Sequence, residues 1–112
     1  MIESSDIPDT PAGPELLRAF KLLHRSINYL TDPELRVLFT VFDHTLFLDR
    51  ETAPLTVTDI EQHTRLSRPT VSQTAQTLVV NGILSRHRVH TKMPFVYRIN
   101  LDRLEILANR MQ

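Results

Sequence analysis

The chain has 112 residues, of which 41% are hydrophobic and 23% charged, and this size and composition are typical of one globular domain with a modest core. It contains no cysteine, which excludes disulfide bonds and thiolate metal sites. No apolar run approaches the roughly 18 residues of a membrane span, and the N-terminus lacks the basic and apolar regions of a secretory signal, so we expect a cytoplasmic protein.

Residues 1–13 hold three acidic residues, no basic residue and little apolar material. This composition predicts a disordered acidic tail ahead of a single domain over residues 14–112. A first helix is expected over residues 14–30, because its apolar residues recur every three or four positions. They form one stripe, which could pack on the chain's own core or on a second copy: Leu16, Phe20, Leu23, Ile27 and Leu30.

A second helix is expected to begin at Thr31, which has capping-box spacing to Glu34. The positions that follow are apolar on nearly all sides up to Leu48, so this helix should lie at the centre of the core. A polar loop is predicted over residues 49–54, followed by a short β-like run over residues 55–57.

Two closely spaced helices come next. A short third helix is expected over residues 58–64, with a second capping box from Thr58 to Glu61. A fourth is expected over residues 67–81, where Gly82 supplies the left-handed residue that commonly ends a helix.

The remaining sequence predicts a hairpin and a closing helix. Residues 83–89 and 95–99 alternate between apolar and polar side chains, and residues 90–94 have the composition of a hairpin tip. A last amphipathic helix is expected over residues 101–111.

Charge is distributed unevenly. The chain holds 13 basic and 13 acidic residues, but no acidic residue lies between Glu61 and Asp102. A neutral protein with one strongly basic lobe is typical of nucleic-acid binders. A solvated basic surface without a partner is the alternative, although ordinary surfaces mix the two signs. The six basic residues of this segment are Arg65, Arg68, Arg86, Arg88, Lys92 and Arg98.

The segment LTVTDIEQHTRLSRPTVSQTAQTLVVNGIL and the later strand VYRI resemble the winged helix-turn-helix domain of MarR-like transcriptional regulators and of phage replication initiators of the replication protein O type. The resemblance covers about residues 55–100, and LTDPELRVLFTVFDHTL is similar to the preceding helix of the phage group. It implies a mainly α fold with a small β-hairpin wing. The helix-turn-helix would span about residues 58–81 and the wing about residues 83–100.

In such a fold the fourth helix would lie in the major groove of double-stranded DNA. Arginine can bind guanine and glutamine can bind adenine through two hydrogen bonds each, and a helix N-terminus can hold a phosphate. Alternatively, Ser67 only caps the helix and the polar residues solvate one face. The predicted DNA-binding residues of this helix are Ser67, Arg68, Thr70, Gln73, Thr74 and Gln76.

The hairpin is predicted to direct positive charge toward phosphates or a minor groove. Its alternative role is a charged edge that protects the sheet from pairing. We expect Phe95 and Tyr97 to pack the hairpin onto the helices, not to stack on bases. The predicted phosphate-contacting residues of the wing and the preceding turn are Arg65, Arg86, Arg88, His90 and Lys92.

The sequence has few residues suited to a metal site or to catalysis. His87 and His90 form an H-x-x-H pair that His63 could join, but the chain has no cysteine, and no acidic residue lies anywhere from Gln62 to Leu101 to complete a metal site. Asp43 and His44 are expected to be a satisfied polar pair and not an acid–base couple. With no glycine-rich phosphate loop either, we expect no catalytic residue, metal or cofactor.

The sequence therefore predicts a sequence-specific double-stranded DNA-binding protein, acting as a dimeric transcriptional regulator. Two copies would pair through helices 14–30 and 101–111, unless both helices complete the core of a monomer. The alternative functions are replication initiation at an origin, RNA binding, and a winged helix that contacts an unidentified protein partner.

Overall fold

The computed structural model describes residues 12–110. The predicted tail, apart from its last two residues, and Met111 lie outside this range. The described elements, in chain order, are α1 (Ala12–Ser26), α2 (Asp32–His44), a 3₁₀ helix (Leu46–Leu48), β1 (Ala53–Leu55), α3 (Val57–Thr64), α4 (Arg68–Val80), β2 (Leu84–His87), β3 (Phe95–Ile99) and α5 (Leu101–Arg110).

Helix α1 begins two residues before the predicted start and ends at Ser26, four residues before the predicted end. It stops there because the next residues form a turn, in which the Leu30 N–H donates to the Ser26 carbonyl at 2.9 Å. The predicted apolar stripe is only partly buried: Leu23 lies in the core and Leu16 and Leu30 pack against it, but Phe20 and Ile27 are 47% and 54% exposed. The buried face is rotated and consists of Ala19, Leu22, Leu23 and Ser26.

Helix α2 starts as predicted. The Thr31 N–H donates to the Glu34 carboxylate at 2.9 Å, and the Glu34 N–H donates to the Thr31 hydroxyl at 3.3 Å, which completes the capping box. The helix packs against α3, α4 and β3, so its predicted central position is confirmed. It ends at His44 and does not continue to Leu48, because the Thr45 hydroxyl donates back to the Val41 carbonyl and a 3₁₀ turn follows.

The start of α3 corrects two predictions. Its capping box joins Thr56 and Asp59, not Thr58 and Glu61: the Thr56 N–H donates to the Asp59 carboxylate at 2.9 Å, and the Asp59 N–H donates to the Thr56 hydroxyl at 3.0 Å. The hydrogen bond from the Thr56 N–H lowers the pKa of Asp59, because it favours the charged form of the carboxylate. Val57 is therefore helical, and the strand predicted over residues 55–57 lies instead over Ala53–Leu55.

The three strands form one antiparallel sheet in the order β1-β3-β2. Strand β1 is an edge strand, and an edge tolerates the missing N–H of Pro54. Residues that face each other across the ladder share a side of the sheet, so Arg86 lies on the same side as the buried Tyr97. The predicted hairpin is confirmed, with β1 added as a third strand.

Helix α4 is one residue shorter at each end than predicted, and the two predicted end residues are its caps. Ser67 caps its start by accepting from the Thr70 N–H, and Asn81 caps its end. Gly82 has a φ of +80°, the left-handed conformation that glycine adopts without strain. Arg103 of α5 donates to the Asn81 carbonyl at 2.9 Å, so the end of α4 is tied to the last helix.

Helices α1 and α5 pack against each other within one chain. Arg18 donates to both Asp102 and Glu105 at 2.7 Å, and the Tyr29 hydroxyl donates to the Leu104 carbonyl at 3.3 Å. The inner faces of both helices are therefore used in completing the core of a single copy. None of the described helices has the length and apolar character needed to cross a membrane.

Candidate nucleic-acid interface

A short, well-defined turn joins α3 to α4. Arg65 ends α3 with a φ of 65°, and its N–H donates to the Glu61 carbonyl at 2.8 Å. The next N–H, of Leu66, donates to the Thr64 hydroxyl at 3.2 Å. Arg36 of α2 donates to the Thr64 carbonyl at 3.0 Å. The helix-turn-helix is thus held by hydrogen bonds as well as by its core.

Helix α4 buries one face and exposes another. The buried face holds Val71, Thr74, Ala75 and Leu78, at helical spacings of three and four. Thr74 is only 7% exposed, so its prediction as a DNA-binding residue is wrong: it lies one turn from Val71 and Leu78, on the core side. The predicted residues Ser67, Arg68, Gln73 and Gln76 are exposed, and Thr70 is half-buried.

Sequence reasoning missed Ser72, which is exposed on α4. It lies four residues after Arg68 and four before Gln76, so the three share one face of the helix. The helical period alone could have identified it.

Two of the six basic residues of the predicted lobe have acidic partners that the linear sequence concealed. Arg68 lies 3.3 Å from the Glu61 carboxylate, and its guanidinium also donates to the Thr58 hydroxyl at 2.9 Å. Arg98 lies 3.6 Å from the Glu51 carboxylate. The interpretation of six uncompensated charges is therefore wrong, because Glu51 and Glu61 lie outside the acid-free segment but fold against it.

The remaining positive charge is more localised. The ion pairs of the described residues that involve arginine or lysine use Arg18, Arg36, Arg68 and Arg98, and none uses a lysine. Among residues 12–110, Arg65, Arg88 and Lys92 therefore have no ion pair. All three are exposed, as is the predicted His90 at the hairpin tip.

Arg86 is the exception among the predicted wing residues. It is half-buried, and its guanidinium donates to the Gln76 side-chain oxygen at 2.7 Å and to the Tyr97 hydroxyl at 3.2 Å. Its guanidinium carbon also lies 4.2 Å from the centre of the Phe95 ring, as does that of Arg88. Arg86 therefore does not project from the wing as predicted; it joins the root of the wing to α4.

The two aromatic residues of the wing pack as predicted. Tyr97 is 2% exposed and Phe95 is half-buried against the core. Their rings form an edge-on pair with centres 6.2 Å apart. They support the hairpin and the arginines on it.

The polar pair on α2 is satisfied by protein groups. The ring of His44 is hydrogen-bonded to the Thr40 carbonyl at 2.8 Å, and His63 of α3 lies 3.3 Å from the Asp43 carboxylate and 2.9 Å from the Thr40 hydroxyl. These contacts join α2 to α3. Within residues 12–110, no group of three or more histidine, aspartate or glutamate side chains has an arrangement that could hold a metal ion.

The structure thus combines a helix-turn-helix, an exposed polar face on its second helix, and a cationic hairpin joined to that helix. Comparison with curated proteins finds no match. The sequence profile of the MarR family matches residues 30–91, which is more than half of the chain and includes α2, both helices of the motif and the first strand of the hairpin. The chain therefore belongs to the MarR family of winged-helix transcriptional regulators.

Proposed function

We propose that this protein regulates transcription by binding double-stranded DNA in a sequence-specific manner, with α4 in the major groove. The observation that carries this proposal is the contact between Arg86 and Gln76 at 2.7 Å, since it attaches the cationic hairpin to the exposed polar face of α4. A groove-reading helix and a phosphate-contacting wing must act on the same stretch of duplex, and this contact holds them together.

The dimensions of α4 support the major groove as its site. The helix has 13 residues and a length of about 20 Å, and the major groove, about 12 Å wide, admits one helix. Arg68, Ser72 and Gln73 would face base edges. The N-terminus of α4 at Ser67 would approach a phosphate, because the positive end of the helix dipole favours an anion.

The wing and turn would supply contacts that do not depend on sequence. Arg65, Arg88 and Lys92 carry charge without an ion pair in the described chain, and His90 lies between the last two. Phosphate neutralisation by such residues provides affinity and makes binding depend on salt. We propose, from its membership of a family of transcriptional regulators, that the protein acts by binding and not by catalysis, in the cytoplasm.

We further propose that the regulator is a homodimer, since a two-fold operator is read by two symmetric copies. Because the inner faces of α1 and α5 are packed within one chain, the second copy would contact their outer faces. These faces and the turn after α1 still expose large apolar side chains, namely Leu17 at 57%, Phe20 at 47%, Ile27 at 54% and Ile106 at 47%.

The test is selection of bound sites from random duplex DNA, followed by affinity measurements at several salt concentrations. Arg68→Ala and Gln73→Ala should each cost about 1–3 kcal/mol on the selected site and relax one base preference, because they remove base contacts. Lys92→Ala should weaken all sequences alike and reduce the salt slope by about 1, because it removes a phosphate contact.

Arg50→Ala provides the control, since Arg50 is exposed in the loop before β1, outside the helix-turn-helix, the hairpin and helices α1 and α5. Its effect on site preference and on the salt slope should be small. Equal losses on every sequence from all of the first three changes would contradict the role of α4. Enrichment of tandem direct sites instead of a two-fold motif would favour replication initiation over the dimeric regulator.

A further inference from the structure

Two arginines of the wing lie over one aromatic ring. The guanidinium carbons of Arg86 and Arg88 are each 4.2 Å from the centre of the Phe95 ring. At such a distance the flat face of a guanidinium is attracted by the electrons of the ring. The hydrogen-bond donors of a guanidinium lie along its edge, so contact through the face leaves them available for other groups.

Arg86 shows that the two kinds of contact occur together. While its guanidinium lies over Phe95, it donates to the Tyr97 hydroxyl at 3.2 Å and to the Gln76 side-chain oxygen at 2.7 Å. Arg86 is half-buried, and these donors are directed to groups of the protein itself.

Arg88 has the same ring contact in a different environment. It is exposed, and within residues 12–110 its side chain has neither a hydrogen-bond partner nor an ion pair. An arginine with free donors along one edge can hold an oxyanion through two parallel hydrogen bonds. The phosphates of a DNA backbone are oxyanions of this kind.

The Phe95 ring is itself held in place. Phe95 lies in β3 opposite Leu55 of β1, and it is half-buried against the core. Its ring also forms an edge-on pair with the buried Tyr97, with centres 6.2 Å apart. An arginine that lies on a fixed ring has fewer accessible rotamers, so it loses less conformational entropy when it binds a ligand.

We propose that Phe95 is a positioning residue for DNA binding, which holds the Arg88 guanidinium by its face and presents the donor edge to a backbone phosphate. This inference rests on the proposed function, since the phosphate belongs to the duplex that α4 reads. Lys92 provides the contrast on the same wing, because it is exposed and within residues 12–110 lies over no aromatic ring. Lys92 would contribute through charge alone, and Arg88 through charge and prior orientation.

The experiment is a double-mutant cycle, in which affinity for the selected duplex is measured for Phe95→Leu, Arg88→Ala and their combination. Phe95→Leu removes the aromatic face but keeps an apolar side chain against the core. It should weaken binding about two- to fivefold, the factor that corresponds to a cation–π contact at an exposed site. In the Arg88→Ala background most of this effect should disappear, because the side chain that the ring holds is absent.

The cycle of Phe95→Leu with Lys92→Ala is the matched control. Since Lys92 does not lie on the ring, the effects of these two changes should add. An effect of Phe95 through Arg86 is present with and without Arg88, so it cancels in the coupling. Coupling of equal size in both cycles would mean that Phe95 only supports the hairpin as a whole, and the inference would be wrong.

Two conservative variants test the ring and the guanidinium separately. Phe95→Tyr keeps an aromatic face and should keep the affinity of the wild type; a loss as large as that of Phe95→Leu would contradict the inference. Arg88→Lys keeps the charge but replaces the planar group with a point charge. Its salt slope should equal that of the wild type, while its affinity should fall about as much as in Phe95→Leu.

The Arg88→Lys measurement stays informative if Phe95→Leu proves less stable than the wild type in thermal unfolding. Wild-type affinity in Arg88→Lys would overturn the inference, because charge alone would then be sufficient. Additive effects of Phe95→Leu and Arg88→Ala on a duplex that the protein selects would also overturn the inference alone. If the wild-type protein selects no duplex sequence at all, the proposed function fails and the inference fails with it, so the two failures are distinguishable.

Discussion

Single residues decide where α3 begins. The sequence TVTDIE contains two overlapping patterns in which a threonine precedes an acidic residue by three positions, Thr56 with Asp59 and Thr58 with Glu61. Both satisfy the capping-box spacing, so local sequence cannot choose between them. The structure uses the first, and Glu61 instead lies 3.3 Å from Arg68.

The two threonines should differ in their contribution to stability. Thr56→Ala removes the hydroxyl that accepts from the Asp59 N–H and should lower the free energy of unfolding by about 1 kcal/mol. Thr58→Ala removes only an exposed acceptor for Arg68 and should cost less than about 0.5 kcal/mol. Chemical denaturation of both variants at neutral pH measures the difference. A larger loss for Thr58→Ala would mean that the cap is assigned to the wrong residue.

The pairing of charged residues also could not be predicted from the local sequence. The sequence shows the acid-free segment directly. It does not show which carboxylates from earlier in the chain form ion pairs with the arginines of that segment. Glu51 reaches Arg98 only because β1 pairs with β3 in the sheet. Sequence could predict which residues are basic, whereas which of them keep their charge unpaired depends on the tertiary fold.

Whole elements were more predictable than their faces. The order of helices and strands, the limits of α4 to within one residue and the glycine that follows it could all be predicted, because capping residues and hydrophobic periods are local signals. The buried face of α1 could not, because that helix carries apolar side chains on two sides. Ala19 and Leu22 face the core, while Leu17 and Phe20 are 57% and 47% exposed.

The packing of α1 on α5 provides a prediction at the element scale. Arg18 donates to both Asp102 and Glu105 at 2.7 Å, so Arg18→Ala breaks two ion pairs between the helices. We expect a loss of up to about 1 kcal/mol in the free energy of unfolding at low salt, because the network is partly exposed and screened. Denaturation at low and high salt measures this, and the loss should shrink at high salt.

Lys21→Ala serves as the matched control on the same helix, since Lys21 is exposed and forms no ion pair within the described chain. Its effect should be within about 0.5 kcal/mol at either salt concentration. An Arg18→Ala loss that does not depend on salt would indicate that the aliphatic part of the arginine, and not its charge, stabilises the contact.

For the molecule as a whole, the fold was predictable but the use of its surfaces was not. A winged helix-turn-helix follows from the spacing of two helices and an alternating hairpin. Whether α1 and α5 serve one copy or two depends on contacts that no periodicity encodes. The inner faces of α1 and α5 pack within one copy, and each helix still exposes apolar side chains on its outer face. We therefore place the proposed dimer contact on these outer faces.

The proposed dimer contact predicts both the molecular mass of the protein in solution and its affinity for a two-fold DNA site. Leu17 on α1 and Ile27 in the turn after it are 57% and 54% exposed, so replacing both with aspartate should leave the fold intact but introduce charge into the proposed interface. We expect the wild type to sediment as a dimer at micromolar concentrations and the Leu17→Asp, Ile27→Asp variant as a monomer. Circular dichroism should give the same helix content for both.

Val80→Asp is the control for loss of an exposed apolar side chain elsewhere, because Val80 is 71% exposed at the end of α4. It should remain dimeric. If the outer face of α1 joins two copies, the monomeric variant should bind a full two-fold site no more tightly than a half-site, since it can no longer present two recognition helices at once. A wild type that sediments as a monomer, or a double variant that stays dimeric, would place the contact on another surface or remove it altogether.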